Sequence, residues 1–499
     1  MDSDAEQLSS LGYSATFDRT MSAWENFSLG FTYLSPVVGV YTVFTVALVI
    51  GGPPMWWTYL LVGAGQMLVC LVFCEVVSQF PVSGGIYPWA RRLVGKRWAW
   101  LAGWVYAWAL FSSIAAVAIG SSPFVAALFQ LHFDERVETV IAIGMITLVM
   151  LLNFCGTRLL SRVALFGFIC ELVGAIAVGG YLLIFARHQP LRELWNTHGL
   201  GGRYGYLSAF LGSAVAGLFL YGGFEACGDV AEETPNAGRT IPRTMRMTMY
   251  VGGASAMFVS LALILAVPDM TEVLTGQSSD PVGAILTDAL GRFWFRILSV
   301  VLLISFVSCV LSLQAAASRL LFAYGRDQMI PGSRFLSRIS PRTHVPIAAL
   351  LMTGLIPGAI ALCRLWLRDA IETVLLFGVS GIYIAFQMVV IGALTARLKG
   401  WKPSGAFQLR QWGYPVSAFA LFYGIAALTD MVWPRNPQAP WFVDHAVMIA
   451  IAVVLIPGIC YLFIAKPHDQ GEGPAADAHL LHSRNVASAC HPSPAQADG

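Results

Sequence analysis

Phe219-Leu220-Tyr221-Gly222-Gly223-Phe224-Glu225 lies inside an apolar stretch that is long enough to cross a lipid bilayer. Two adjacent glycines weaken a helix at that point, and an ionisable side chain in hydrocarbon costs roughly 3 kcal/mol or more. Irregular backbone and charge are tolerated at membrane depth only where they line a cavity enclosed by protein. The stretch therefore predicts a transmembrane helix that is broken at a binding site.

The composition of the whole chain agrees with a membrane protein. Hydrophobic residues make up 57% of the 499 residues and charged residues only 12%, whereas soluble domains carry about 25% charge. Apolar runs of about 20 residues recur along the chain and predict an all-α integral membrane protein with twelve spans. Their approximate limits are 27–50, 55–79, 98–118, 137–154, 163–185, 207–228, 247–267, 293–318, 346–363, 373–396, 415–433 and 443–464.

The distribution of basic residues predicts the orientation of these spans. Most of the 30 Lys and Arg residues fall in the connections on the side of the N-terminus, including the group Arg91-Arg92-Lys96-Arg97. Positive residues favour the cytoplasmic side, so we expect both termini in the cytoplasm. The acidic first residues do not resemble a cleavable signal peptide. A multi-pass protein of the plasma (inner) membrane is the expectation.

A second interruption occurs in span 1, where Pro36 follows Ser35 in the middle of the apolar run. Interrupted spans five helices apart indicate an inverted repeat with a transport site near the midplane of the membrane. The predicted domain organisation is a cytoplasmic segment (1–22), a transporter domain (23–465) and a disordered cytoplasmic tail (466–499). Within the domain, repeat one covers about 27–185, repeat two about 207–396, and helices 11 and 12 about 415–464.

Three sequence motifs carry a family resemblance. They are Phe80-Pro81-Val82-Ser83-Gly84-Gly85-Ile86-Tyr87, the stretch from Gly222 to Arg243, and the stretch from Ser318 to Asp327 that ends in Ile330-Pro331. As a set they resemble the amino acid–polyamine–organocation (APC) superfamily of transporters. Leu11-Gly12-Tyr13, with Phe17, Arg19, Ser22 and Phe27-Ser28, is similar to its amino acid/choline branch.

The resemblance implies a fold and a substrate site. The fold is a leucine-transporter-like 5+5 inverted repeat with discontinuous helices 1 and 6 and two extra helices. The charged groups of the substrate would meet exposed backbone at the two breaks. The implied substrate-binding residues are Ser35, Pro36, Val37, Val38, Gly39, Phe219, Tyr221, Gly222, Gly223, Phe224 and Glu225. Pro36 departs from the small-residue run of related permeases and removes one amide, which leaves room for a substrate without an α-carboxylate.

Glu225 and Glu171 are the candidates for coupling transport to an ion gradient. Burial disfavours the charged form of a carboxyl, so Glu225 could carry a proton, bind a substrate ammonium, or cap the broken backbone as a purely structural group. Glu171, in span 5, has no charged residue within one helical turn. It therefore needs a partner on another helix or must be neutral, and either proton handling or a packing hydrogen bond would satisfy it.

A proton is the expected coupling ion, and sodium is the alternative. Ser305, Ser308 and Ser312 follow one another at about one-turn spacing in span 8. Their hydroxyls and the carbonyls of span 1 could hold sodium, although serines also form ordinary hydrogen bonds between helices. No other cofactor and no metal site are expected.

Charged residues near the cytoplasmic face are candidates for an inner gate. Ion pairs among Glu75, Asp229, Arg319, Arg326 and Asp327, with Glu232 and Glu233, would hold it shut, and solvated helix ends are the alternative. Aromatic side chains could cap an ammonium. The candidates are Tyr33, Tyr221 and Phe224, with Trp104 and Trp108 more typical of packing or interfacial positions.

The function expected from these observations is secondary active transport of an amino acid or related amine, with the lipid bilayer and a small-molecule substrate as partners and no nucleic acid. The chain lacks a GxxxxGK[ST] motif, HExxH and histidines at the centres of spans, which argues against an ATP-driven pump and against a haem or zinc enzyme. An exchanger, a sodium symporter and a non-transporting nutrient sensor remain alternatives, and the oligomeric state stays open.

Overall fold

The computed structural model describes residues 3–131, 134–201, 205–276, 281–435 and 439–479. Within these ranges the chain is helical without strands. Ten of the described helices are long and apolar enough to cross a membrane. Two further apolar helices, Tyr206–Leu220 and Ile347–Cys363, are shorter and correspond to the predicted spans 6 and 9. The predicted all-α membrane fold is confirmed.

The twelve spans follow the predicted limits closely, and several begin or end outside the apolar run because the helix continues into polar residues. Span 1 consists of span 1a (Ala23–Leu34) and span 1b (Pro36–Gly51), and span 6 of span 6a (Tyr206–Ser213 and Val215–Leu220) and span 6b (Ala226–Asp229). The others are span 2 (Trp56–Gln79), span 3 (Lys96–Gly120), span 4 (Glu135–Phe154), span 5 (Thr157–Phe185), span 7 (Ala237–Ala266), span 8 (Phe293–Arg326), span 9 (Ile347–Cys363), span 10 (Arg368–Leu398), span 11 (Gly413–Val432) and span 12 (Ala446–Ile464). A short helix, Pro281–Gly291, precedes span 8 and ends at Gly291, where the backbone leaves the helical region.

The break in span 1 is produced by a single residue. Ser35 adopts a left-handed conformation with φ 42° and ψ 80°, and Pro36 begins the next half-helix. Proline is suited to the first position of a helix because its ring fixes φ and its missing N–H has no intrahelical acceptor there. The predicted discontinuity at Pro36 is confirmed, and span 1b presents a new helix N-terminus in the middle of the bundle.

The break in span 6 lies directly against the break in span 1. The helix ends at Leu220, and Gly223 has φ +98° before the single turn of span 6b. A Cβ atom on Gly223 would lie 2.7 Å from the backbone nitrogen of Leu34. Glycine is therefore required at this position for its positive φ and for the close approach of the two broken helices.

The spans divide into an inner and an outer group by burial. In spans 1, 8 and 10, 67% of the residues in the most apolar window are buried, against 28% in span 5 and 22% in spans 11 and 12. The outer group exposes large apolar side chains such as Phe422, Phe463 and Ile464. Such a surface is stable only in contact with lipid or other apolar material, which agrees with a bilayer around the bundle.

The described N-terminal segment and residues 466–479 pack on the same end of the bundle, which we term the termini-bearing end; Arg92 there donates to the carbonyl of Leu11 and pairs with Asp477. Lys96 Nζ donates to the carbonyl of Gly471 at 2.8 Å, and Arg91 Nε donates to the carbonyl of Pro474 at 3.1 Å. The backbone N–H of Ala476 donates to the carbonyl of Arg91 at 2.9 Å. The expectation of a disordered tail is therefore wrong for residues 466–479, because the basic group after span 2 binds their carbonyls. Residues 480–499 lie outside the described part of the chain.

Candidate functional site

A small cavity of about 70 Å³ lies where the two breaks face each other. Residues from spans 1, 3, 6, 8 and 10 line it. Five of the predicted substrate-binding residues are among them: Ser35, Val38, Gly39, Phe219 and Gly222. Tyr33, the predicted aromatic cap, also lines the cavity. The two breaks therefore meet at a cavity that residues of both broken helices line.

The remaining predicted substrate-binding residues do not line this cavity: they are Pro36, Val37, Tyr221, Gly223, Phe224 and Glu225. The Tyr221 ring fills the space beside Gly63 and Gly253, where an added Cβ would lie within 2.8 Å of it. The Phe224 ring packs against Phe73 and Phe386, with centroids 5.6 and 5.3 Å away. Both aromatics hold span 6 against its neighbours, because the chain turns away from the cavity after Gly222.

Glu225 is fully buried just beyond the cavity, where its carboxyl caps the break. Its Oε2 accepts from the N–H of Gly223 at 2.8 Å, and its Oε1 accepts from the Tyr106 hydroxyl at 3.3 Å. The same hydroxyl also reaches Asp229 Oδ2 at 3.0 Å. A phenol has one proton to donate, so the two carboxyls compete for one donor.

Asp229 therefore belongs to this carboxyl pair rather than to the gate. It forms no ion pair with any described residue, and its Oδ1 has no hydrogen-bond partner among them. Two buried carboxyls beside one shared donor resist simultaneous ionisation. The arrangement of Glu225, Tyr106 and Asp229 is thus suited to holding a proton next to the cavity. Tyr106 carries no sequence signal, and only the packing of span 3 reveals it.

Glu171 reaches the break in span 1 from the opposite side. Its Oε1 accepts from the Ser35 hydroxyl and from the N–H of Val37, both at 2.9 Å. Only 1% of the residue is exposed, and its Oε2 has no hydrogen-bond partner in the described part of the chain. The partner that the sequence left unnamed is the N-terminus of span 1b, which favours a negative group through its free N–H donors and its dipole.

Two ion pairs join span 8 to the segment after span 6b at the termini-bearing end. Arg319 donates to both oxygens of Glu233 at 2.8 and 3.0 Å, and neither side chain is exposed. Arg326 pairs with Glu232 at 2.9 Å. Arg319, Glu232 and Glu233 are buried, which differs from solvated helix ends, whereas Arg326 is partly exposed.

Two further gate candidates find partners that the sequence did not indicate. Asp327 pairs with Arg91 and accepts from Tyr87 at 3.0 Å, while Glu75 pairs with Arg397. Arg91 follows the motif after span 2 and was predicted only as part of a cytoplasmic basic group. It is fully buried, because the short helix Ile86–Leu93 folds back against spans 3 and 10.

The motif after span 2 docks on the segment after span 6b. Ser83 N–H donates to Glu232 Oε1 at 3.1 Å, and Glu232 N–H donates back to the Ser83 hydroxyl at 3.0 Å. Gly84 donates to the carbonyl of Asp229 at 3.0 Å. A Cβ on Gly84, whose φ is +95°, would lie 2.6 Å from the Cβ of Ala323. Two of the resemblance motifs therefore form one contact with span 8 at the termini-bearing end.

The serines of span 8 take part mainly in helix hydrogen bonds. Ser305 and Ser308 donate to Val301 and Ile304 at 3.1 and 2.9 Å, and the Ser312 hydroxyl lies 2.9 Å from that of Thr32. No group of three or more His, Cys, Asp or Glu residues that could hold a metal ion occurs in the ranges described.

The tryptophans of span 3 lie away from the cavity. Trp104 Nε1 donates to the carbonyl of Val454 in span 12 at 3.0 Å. Trp108 packs against Trp104, with ring centroids 5.9 Å apart. Trp104 therefore joins spans 3 and 12, and Trp108 packs beside it, as the packing interpretation predicts.

Comparison with known proteins gives matches along almost the whole chain. A family model described as amino acid permease matches residues 23–460. An uncharacterised amino-acid permease from Schizosaccharomyces pombe is 26% identical over 90% of this chain and 86% of its own length. The amino-acid permease BAT1 from Arabidopsis thaliana is 25% identical over 91% of this chain and 94% of its own. A putative polyamine transporter from Candida albicans is 23% identical, with 93% and 88% covered.

Proposed function

Because this chain belongs to the amino acid permease family, we propose that it is a secondary active transporter for an amino acid or a related amine. The related amines include γ-aminobutyrate, polyamines and choline-like cations. Its relatives are named as permeases and transporters, which indicates a transporter rather than an enzyme. The proposed site of action is the plasma membrane, with both termini in the cytoplasm.

The observation that carries the proposal is the cavity between the two breaks. It lies at the meeting point of spans 1 and 6, while the termini-bearing end is closed by the Arg319–Glu233 and Arg326–Glu232 pairs. A transporter that works by alternating access needs a central site and ends that close in turn. With the termini inside, this arrangement is a state closed to the cytoplasm, and opening requires these ion pairs to separate.

Protons are the proposed driving ion, and Glu225 is the proposed carrier. Its carboxyl lies next to the cavity-lining Tyr33 and shares the Tyr106 donor with Asp229. Loading one proton on this carboxyl pair changes the charge beside the substrate by one unit. The energy of an ammonium in the cavity therefore depends on that proton, which is the requirement for coupling. Glu171 is the second coupling candidate.

The test is uptake into proteoliposomes that contain the purified protein. Radiolabelled amino acids, γ-aminobutyrate, choline and polyamines are offered with a pH gradient, with a sodium gradient, and with neither. We expect accumulation driven by the pH gradient, and loss of that accumulation in Glu225→Gln with exchange of internal for external substrate retained. Glu272→Gln, at an exposed position in the loop after span 7, is the matched control and should behave as the wild type.

The alternatives give distinct results in the same assay. Unchanged proton-driven accumulation in Glu225→Gln would contradict the assignment of Glu225. Accumulation that needs sodium would favour the serines of span 8, and exchange without net accumulation would indicate an exchanger. Binding without flux of any substrate would indicate a sensor and overturn the transport proposal.

A further inference from the structure

We propose that the Glu171 carboxyl occupies the place of a substrate carboxylate at the span 1 break, and that the transported substrate is an organic amine without an α-carboxylate. The inference rests on the proposed transport function and narrows its substrate class. Glu171 is then a specificity-determining residue. It acts by filling an anion site with a group of the chain itself.

The first step is an account of the N–H donors at the N-terminus of span 1b. A helix N-terminus offers free backbone donors, which is why it attracts carboxylates. Here Pro36 has no N–H, Val37 donates to Glu171 Oε1 at 2.9 Å, and Gly39 donates to the carbonyl of Ser35 at 2.8 Å. Among the described residues only Val38 keeps an N–H of this turn without an acceptor. A substrate carboxylate would find one donor instead of a cluster.

The second step concerns the Ser35 hydroxyl, the side-chain donor at the same break. It also donates to Glu171 Oε1 at 2.9 Å. The two hydrogen bonds from Ser35 and Val37 to one oxygen are those that a carboxylate ligand would accept at this turn. Glu171 thus satisfies the break in the way a bound carboxylate would, and it does so from span 5, behind the cavity.

The third step is the polarity of the cavity wall. Among its described lining residues there is no Lys, Arg or His that could pair with a carboxylate. The carbonyl groups of the lining residues Leu34, Leu218 and Phe219 lie at the ends of spans 1a and 6a and accept no hydrogen bond from a described residue. Carbonyl oxygens at helix C-termini favour cations. The wall therefore offers carbonyl acceptors for an ammonium, while its side-chain donors are neutral hydroxyls, such as those of Tyr33 and Ser113, and none is cationic.

The fourth step is the way Glu171 is held. Gly167, one turn earlier on the same helix, lets span 5 approach span 8 so closely that an added Cβ would lie 2.0 Å from the Ser308 hydroxyl oxygen. This contact places the Glu171 side chain against the break. The residue is 1% exposed, so water does not compete for the two donors. A free carboxylate would have to displace a group that is already desolvated and fixed.

The experiment compares amines with the amino acids from which they differ only by the α-carboxylate. The pairs are cadaverine with lysine, putrescine with ornithine, and agmatine with arginine, used as competitors and as labelled substrates in proteoliposomes. In every pair of which the wild type transports a member, we expect it to prefer the amine by roughly tenfold or more, the scale of one lost charge-assisted hydrogen bond.

Two variants separate occupancy of the site from charge. Glu171→Ala frees the donors of Ser35 and Val37, so the preference for the amine should fall by roughly tenfold, and added formate should restore it by filling the vacated position. Glu171→Gln retains an acceptor oxygen for both donors and should keep the preference, even if its affinity for amines is lower.

The wild-type measurement decides the inference even if Glu171→Ala does not fold. A wild type that transports lysine, ornithine or arginine better than the matching amine overturns this inference and leaves the transport function standing. A folded Glu171→Ala protein with unchanged selectivity also overturns it. Absence of transport for every compound offered contradicts the proposed function itself.

Discussion

The Arg319–Glu233 pair gives a quantitative test of how the termini-bearing end is held closed. The guanidinium donates through Nε and Nη2 to the two carboxylate oxygens, and both side chains are completely buried. Glu233 also accepts from the Thr157 hydroxyl, and Arg319 Nη1 donates to the Ser318 hydroxyl at 3.0 Å. The pair joins span 8 to the segment after span 6b, with span 5 attached through Thr157.

The magnitude follows from burial. Removing one partner of a buried pair leaves an uncompensated charge and costs about 3–5 kcal/mol. Each of Glu233→Gln and Arg319→Gln should therefore lower the free energy of unfolding by about that amount. The double variant carries no buried charge, so its loss should be smaller than the sum of the single losses. We expect a coupling energy of about 2 kcal/mol, within the range for directly contacting residues.

The assay is equilibrium unfolding of the four proteins in mixed detergent micelles. The Arg435–Asp430 pair is the matched control, because its side chains are 30% and 17% exposed. An exposed pair is worth about 0–1 kcal/mol, so the same cycle there should give little coupling. A coupling energy below about 0.5 kcal/mol for Arg319 and Glu233 would refute the claim that this pair holds the closed end together.

Two further predictions concern the same end. Gly84→Ala should destabilise the protein more than Gly400→Ala does. Both glycines have positive φ, +95° and +94°, and this conformation costs a residue with a Cβ about 1–2 kcal/mol. Only Gly84 has a neighbour within the added Cβ's reach, and overpacking there adds about 1–3 kcal/mol; equal losses in thermal unfolding would contradict the contact with Ala323. A chain that ends at Ala465 should have a lower free energy of unfolding than one that ends at His479. The expected loss is about 1 kcal/mol for each lost hydrogen bond to the tail, two of which are those from Arg91 and Lys96. Identical melting of the two chains would show that residues 466–479 do not hold this end.

The local features of the chain predict the fold well. Apolar runs set the spans because helices must satisfy their own backbone in lipid, and the predicted limits agree with the structure within a few residues for most spans. The breaks at Ser35-Pro36 and Gly222-Gly223 are also local, since each depends on a residue that cannot continue a helix or that adopts positive φ. Five of the predicted substrate-binding residues line the cavity because they belong to these breaks.

The contacts between distant segments could not be predicted in this way. The sequence gives no pattern that pairs Glu75 with Arg397, 322 residues away, or Arg91 with Asp327. Asp229 looked like a gate residue because it follows span 6 near charged residues. In the structure one turn of helix places it beside Glu225 and Tyr106 instead. The tail resembled a disordered segment by composition, and only the buried basic group shows why part of it is held.

The sequence alone determined that this is a membrane bundle with two broken helices, because both features depend on local constraints. The length of each apolar run sets a span, and glycine and proline set the breaks. The tertiary structure decided what the charges do. A carboxyl buried among helices must find its donors wherever the packing provides them, and here Glu225 and Asp229 share Tyr106 while Glu171 takes the donors of Ser35 and Val37. The donor that each carboxyl binds depends on which helices are neighbours in the bundle. No single stretch of sequence specifies the neighbours of a helix, because they are set by the packing of apolar faces from the whole chain.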